Sequence, residues 1–122
     1  MPIIDVELVC VSQKAFNAVS AQSLAQAAAR VFGTAPARTW VRKRFLPSKD
    51  YAENDCVLAD DSLPVFVSVL LAHALSESER EIQIAALTEA IAKCVQRPTD
   101  HVHVEYAPPA RGRLAFGGQL VK

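Results

Sequence analysis

Pro2-Ile3-Ile4-Asp5-Val6-Glu7-Leu8 follows Met1, and Pro64-Val65-Phe66-Val67-Ser68-Val69-Leu70 repeats its plan in the second half of the chain. Both stretches are apolar and β-branched, the composition that fits a pleated strand, and proline suits the first position of a strand. The offset from Pro2 to Pro64 also separates Pro36 from Pro98 and Pro47 from Pro109, so six of the seven prolines fall into three pairs. Leu8 and Leu70, and Ala28 and Ala90, keep that register. Self-similarity at a fixed period marks a repeated supersecondary unit. The chain therefore reads as a single domain, 1–122, made of two pseudo-repeats at about 2–62 and 64–122.

Each repeat reads strand, helix, strand. The first has a strand at about 2–9, then a helix at 20–32 rich in alanine, the best helix former, with Leu24, Ala27, Ala28, Val31 and Phe32 along one stripe. Gly33 is a helix stop, and a second strand runs from about 38 to 46. The second repeat has a strand at about 64–72 and a helix at 77–95 that starts with the capping box Ser76-Glu77-Ser78-Glu79 and ends at Arg97-Pro98. A last strand follows at about 101–107, and the tail from Arg111 to Leu120, with its glycines, reads as a short hairpin. Two β-α-β units with right-handed crossovers predict an α/β (α+β) fold. Its core is one four-stranded mixed sheet with two helices on one face.

Composition removes several functions. Thirteen basic and thirteen acidic residues give a formal net charge of zero, which argues against a protein that binds nucleic acid by neutralising phosphates. No apolar run reaches the roughly 20 residues that span a bilayer, and no signal peptide precedes the first strand. Cys10, Cys56 and Cys94 are odd in number and lack metal-type spacing, so they read as reduced thiols of a cytoplasmic protein. His101 and His103 share a strand face by alternation but have no third ligand, so neither a metal nor another cofactor is expected.

Two features carry chemistry. Pro2 follows the initiator Met1, and a small second residue favours removal of that methionine. The mature chain then begins with a secondary amine. An ordinary α-amino group titrates at roughly 7.7–8.0; burial and nearby cations lower that, and a neutral amine near working pH is a good general base. The second feature is the strand at 38–46, where alternation places Arg38, Trp40, Arg42 and Arg44 on one side and Thr39, Val41, Lys43 and Phe45 on the other. Arginines around a tryptophan read either as a solvated face or as the lining of a pocket or subunit boundary for an anionic ligand, which the planar guanidinium suits.

Pro2 before a β-strand, the doubled β-α-β plan, and the closing stretch from Thr99 to Tyr106 leading into Arg111–Leu120 resemble the tautomerase superfamily. Members include 4-oxalocrotonate tautomerase, 5-carboxymethyl-2-hydroxymuconate isomerase and macrophage migration inhibitory factor. The resemblance implies a doubled chain assembled as a homotrimer, with active sites near subunit interfaces and one catalytic proline per chain, since the nitrogen of Pro64 is locked in a peptide bond. It implies a cofactor-independent tautomerase or isomerase that interconverts enol and keto forms of a small 2-oxo or 2-hydroxy-dienoic acid. In that reading Pro2 is the base and acid. Arg42 and Arg44 bind the substrate carboxylate or carbonyl, Tyr51 and Asn54 reach a neighbouring subunit's pocket, and Phe116 or Leu114 forms an apolar wall. The chain departs from the short members in places: their loop arginine falls on Ser12 here and on Ala74 in the second repeat. Their second-strand arginine falls near Val41 or Arg42 and near His103, and their hairpin aromatic falls on Leu114. Two alternatives stand beside this reading. One is a proline-dependent hydratase or dehalogenase of a small unsaturated acid, with Glu53 or Asp55 activating water. The other is a non-enzymatic ligand-binding or assembly module in which Pro2 only starts a strand.

Overall fold

The computed structural model describes residues 1–122. Its main elements are β1 (Pro2–Cys10), α1 (Gln13–Asn17), α2 (Ala21–Phe32), β2 (Trp40–Pro47), β3 (Val65–Leu71), α3 (Glu77–Val95), β4 (Val102–Tyr106), β5 (Ala115–Phe116) and β6 (Gln119–Leu120). The four long strands form one mixed sheet in the order β2-β1-β3-β4. β1 runs parallel to β2, β3 runs parallel to β4, and the two pairs meet where β1 lies antiparallel to β3. Both parallel pairs have the same register: Ile3 faces Trp40, and Val65 faces Val102 at the same spacing. The offset that relates the paired prolines carries the first strand pair onto the second.

The alternation in the strands decides what is covered. Ile4, Val6 and Leu8 of β1 and Val65, Val67 and Val69 of β3 turn to one face and are essentially fully buried. Leu24 and Ala28 of α2 and Leu87, Ile91, Ala92 and Val95 of α3 close over them as a single core. Each such leucine or valine contributes roughly 1.5–3 kcal/mol relative to its exposed state. Ile82, although apolar, lies on the outer side of α3, 74% exposed.

Local chemistry sets the helix ends. Ser76 accepts from the backbone amide of Glu79 while the Glu79 carboxylate accepts from the Ser76 amide, so the expected capping box forms. Gly33 closes α2 at φ 64°, a left-handed conformation that glycine enters without a Cβ penalty. Nothing in the residue pattern marks α1, a five-residue turn capped by Ser12, whose hydroxyl accepts from the Ala15 amide. Lys43, on the helix side of β2, supports it. Its Nζ donates to the carbonyls of Phe16 (3.1 Å) and Val19 (2.8 Å) and lies 4.0 Å from the centre of the Phe16 ring.

The other sheet face is partly open. Residues 48–63 cross the end of it where β1 finishes: the Tyr51 ring lies 5.9 Å from that of Phe66, and Val9, on this face by alternation, is fully buried. Arg97, just after α3, donates to the carbonyls of Leu63 and Pro64 and to Cys10 Sγ, fixing the entry to β3. After β4 the chain continues alongside β3, with the amides of Ala107 and Ala110 donating to Val69 and Leu71. The β5-β6 hairpin then returns across the molecule to β2, where Phe116 meets Trp40.

Candidate active site

The start of β1 sits between two features brought from far along the chain. Pro2 is buried, and it faces Leu71 in the antiparallel register. On its other side the register of Ile3 with Trp40, continued backwards, sets residue 1 beside Arg38. Burial first and the Arg38 guanidinium second hold the terminal amine, here that of Met1, below its ordinary value. Both causes favour the neutral amine. Arg38 was legible in the sequence only as one of a row of arginines; the parallel register singles it out.

Beside this end lies a cleft of about 520 Å³ that includes Ile3, Gln22, Thr39, Trp40, Arg42 and Phe116 in its lining. Trp40 and Phe116 stack with ring centroids 4.7 Å apart and planes inclined by 21°. The pair forms an apolar flank beside the first residues of β1. Phe116, expected as an apolar wall, lies in this cleft, whereas Leu114 does not line it.

The remaining expected residues are distributed along the open face. Arg42 stands beside Asp5, about 10 Å down the strand from Pro2 at ~3.3 Å per residue. Its Nε and terminal nitrogen donate to the two Asp5 oxygens at 2.6 and 2.9 Å, a bidentate pair that raises the arginine's already high pKa. Arg44, beside Glu7 and ~17 Å from Pro2, reaches the same Asp5 carboxylate at 3.8 Å. Asp5 therefore engages both arginines expected to bind substrate, a contact that only the register reveals.

Tyr51 packs on Phe66, which faces Glu7, so it too is ~17 Å from Pro2 of its own chain. Its hydroxyl donates to Glu53 Oε2 at 2.7 Å. Burial first, then the bond to Glu53 and the charges of Glu53 and Cys56, push the phenol up to about 12. Asn54 and Asp55 occupy the exposed turn between the bridged residues Glu53 and Cys56, with Asp55 at φ 53°. None of Tyr51, Glu53, Asn54 and Asp55 meets Pro2 within one chain. The histidines do not form a strand-face pair: His101 closes a 3-10 turn at Thr99–His101, ahead of β4, and His103 lies on the open face against Phe66, ring centroids 5.4 Å apart.

No protein-family model matches the sequence, and no curated protein matches it. Solved structures do. A fused 4-OT asymmetric trimer is 20% identical and matches with a TM-score of 0.73 over 97% of this chain and 94% of that one. FG41 malonate semialdehyde decarboxylase inhibited by 3-bromopropiolate is 19% identical, with a TM-score of 0.69 over 94% of this chain and 88% of its own. A member of the cis-3-chloroacrylic acid dehalogenase family is 15% identical, with a TM-score of 0.73 over 98% of this chain and 83% of its own. The chain has the fold of the tautomerase superfamily. It has that fold in the doubled form, spanning nearly the full length of a fused 4-OT chain.

Proposed function

We propose that the protein is a cofactor-independent tautomerase or isomerase of a small 2-oxo or 2-hydroxy-dienoic acid, with Pro2 as general base and acid. The observation that carries this reading is the buried Pro2 at the head of β1, one residue before Ile3 of the Trp40–Phe116 cleft; the amine next to it, that of Met1, is held below its ordinary value by burial and by Arg38. With Met1 removed, the Pro2 nitrogen takes the proton from C3 of a 2-oxo acid. The C3–H electron pair becomes the C2–C3 double bond, and the carbonyl π pair moves to oxygen. Arg38 supplies positive charge where the enolate oxygen develops, the kind of preorganised electrostatic aid that usually contributes most. Return of the proton from the proline ammonium gives the isomer and restores the base.

Arg42 and Arg44 extend this cationic row. Tyr51 and Asn54 belong to the site of a neighbouring copy in a homotrimer; a fused 4-OT has been solved as an asymmetric trimer. The three unbridged cysteines fit a reducing compartment, the cytoplasm, and no helix is long and apolar enough to cross a membrane. The hydratase or dehalogenase alternative needs a carboxylate at the amine. Glu53, bound to Tyr51, is that carboxylate if Tyr51 reaches a neighbouring copy's amine, and hydration of an unsaturated acid in place of proton exchange is the outcome that selects this alternative.

The test is exchange of the C3 hydrogens of a 2-oxo acid into deuterated water. The wild-type chain accelerates it, and Pro2→Ala, which replaces the ring-fixed secondary amine by a primary amine free to turn out of line, lowers kcat by about a hundredfold, the loss that ~1 Å of misplacement brings. Equal exchange by both proteins refutes the assignment.

A further inference from the structure

Beyond the cleft, the open face carries a cluster of carboxylates. A second depression of about 380 Å³ adjoins the Asp5–Arg42 pair and is lined by Asp5, Glu7, Arg44, Phe66, Ser68 and Glu105. Three carboxylates there face one guanidinium. Glu105 is held in place by the Ser68 hydroxyl, which donates to it at 2.9 Å. Asp5 occupies the fork of Arg42 and contacts Arg44 as well. Arg38 alone among the arginines of this row makes no ion pair with a carboxylate, and it stands at the amine end.

We infer that the site selects a 2-oxo or enol monocarboxylate with an apolar tail, and that Asp5 is the residue that sets this preference. This selectivity rests on the proposed reading of the Pro2 site and deepens it. The ligand's carboxylate and carbonyl lie towards Arg38, which places C3 at the amine and the tail along the stacked Trp40 and Phe116 rings. A second carboxylate on that tail, three bonds beyond C3, points towards Asp5 from a distance of roughly 6 Å at the strand rise of ~3.3 Å per residue, and finds the Arg42 fork already filled by Asp5. Repulsion from one partly solvated carboxylate nearby weakens binding by about tenfold.

Two acids of equal length separate the cases: 2-oxohexanoate ends in a methyl group and 2-oxoadipate in a carboxylate. Trp40 is the chain's single tryptophan and lies in the cleft, so quenching of its fluorescence reports binding without any turnover. The wild-type chain binds 2-oxohexanoate about tenfold more tightly than 2-oxoadipate. In Asp5→Asn, which frees the Arg42 fork, the ratio falls to about one or inverts. A wild-type preference for 2-oxoadipate, or equal affinities, overturns the inference without any variant, and so does a ratio unchanged by Asp5→Asn. The same two acids in the C3 exchange assay keep the claims apart. Selective binding without exchange dependent on Pro2 refutes the proposed reaction and leaves the selectivity standing. Exchange dependent on Pro2 with no preference between the acids does the reverse.

Discussion

Phe116 of the terminal hairpin stacks on Trp40 at the head of β2, with ring centroids 4.7 Å apart. The contact ties the hairpin to the edge strand and builds the flank of the cleft beside Pro2. Backbone bonds hold the base of the hairpin, Arg111 to Ala72 and Gly112 and Leu114 to Val121, and the ring pair sets its strand β5 against β2 as the pocket wall.

Phe116→Ala therefore acts on the site more than on the fold. Loss of the stack, worth about 0.5–1.5 kcal/mol beyond buried area, exposes Trp40. Its emission moves to longer wavelength, and 2-oxohexanoate binding weakens by about tenfold. Global stability changes little, because the core lies on the other face. Unchanged emission and affinity contradict this role for the hairpin.

Lys43 carries more of the fold than its charge suggests. Its ammonium satisfies the carbonyls of Phe16 and Val19 at the end of α1, bonds of the charge-assisted kind worth roughly 1.5–3 kcal/mol. Lys43→Met keeps the length and apolar stem but leaves both carbonyls without this donor. It lowers unfolding free energy by about 2 kcal/mol, within the range for a hydrogen bond to a charged group, as measured by urea denaturation. A loss below about 0.5 kcal/mol, the floor for even a neutral hydrogen bond, contradicts the assignment.

Tyr51 gives a pH signature. Its phenol is raised to about 12, so it is a hydrogen-bond donor and not a phenolate at neutral pH. The unfolded phenol ionises at roughly pH 10. The folded state thus binds the proton more tightly, its stabilising effect is complete below about pH 10, and it is lost as pH rises towards about 12. Ultraviolet titration of the tyrosines shows this late ionisation, and Glu53→Gln moves it downwards by removing the charge of the acceptor. A Tyr51 that titrates at its ordinary value in both proteins contradicts the geometry.

The fold is more legible in the sequence than the site is. The repeated prolines and the period-2 stretches after them mark the strands, and the capping box at Ser76 and Gly33 mark helix ends, because those signals are local. α1 escapes because five residues carry no periodicity. Site geometry depends on register between strands far apart in the chain, and no local pattern encodes which residue of β2 faces which residue of β1. The row Arg38, Arg42 and Arg44 is visible by alternation, but its division is not: Asp5 claims Arg42, and the amine meets Arg38. Phe116 is legible as an aromatic in a glycine-rich tail, whereas its contact with Trp40 comes only from the path of the chain after β4.

A free and reactive proline amine is central to the proposed chemistry, and one measurement addresses it most directly. Intact mass is determined before and after exposure to bromopyruvate, a small electrophilic 2-oxo acid, with the adduct mapped to a peptide. The predicted result is a chain without Met1, labelled once, on Pro2. Retained Met1, or label confined to Cys10, Cys56 or Cys94, contradicts it and returns the protein to a binding or assembly module.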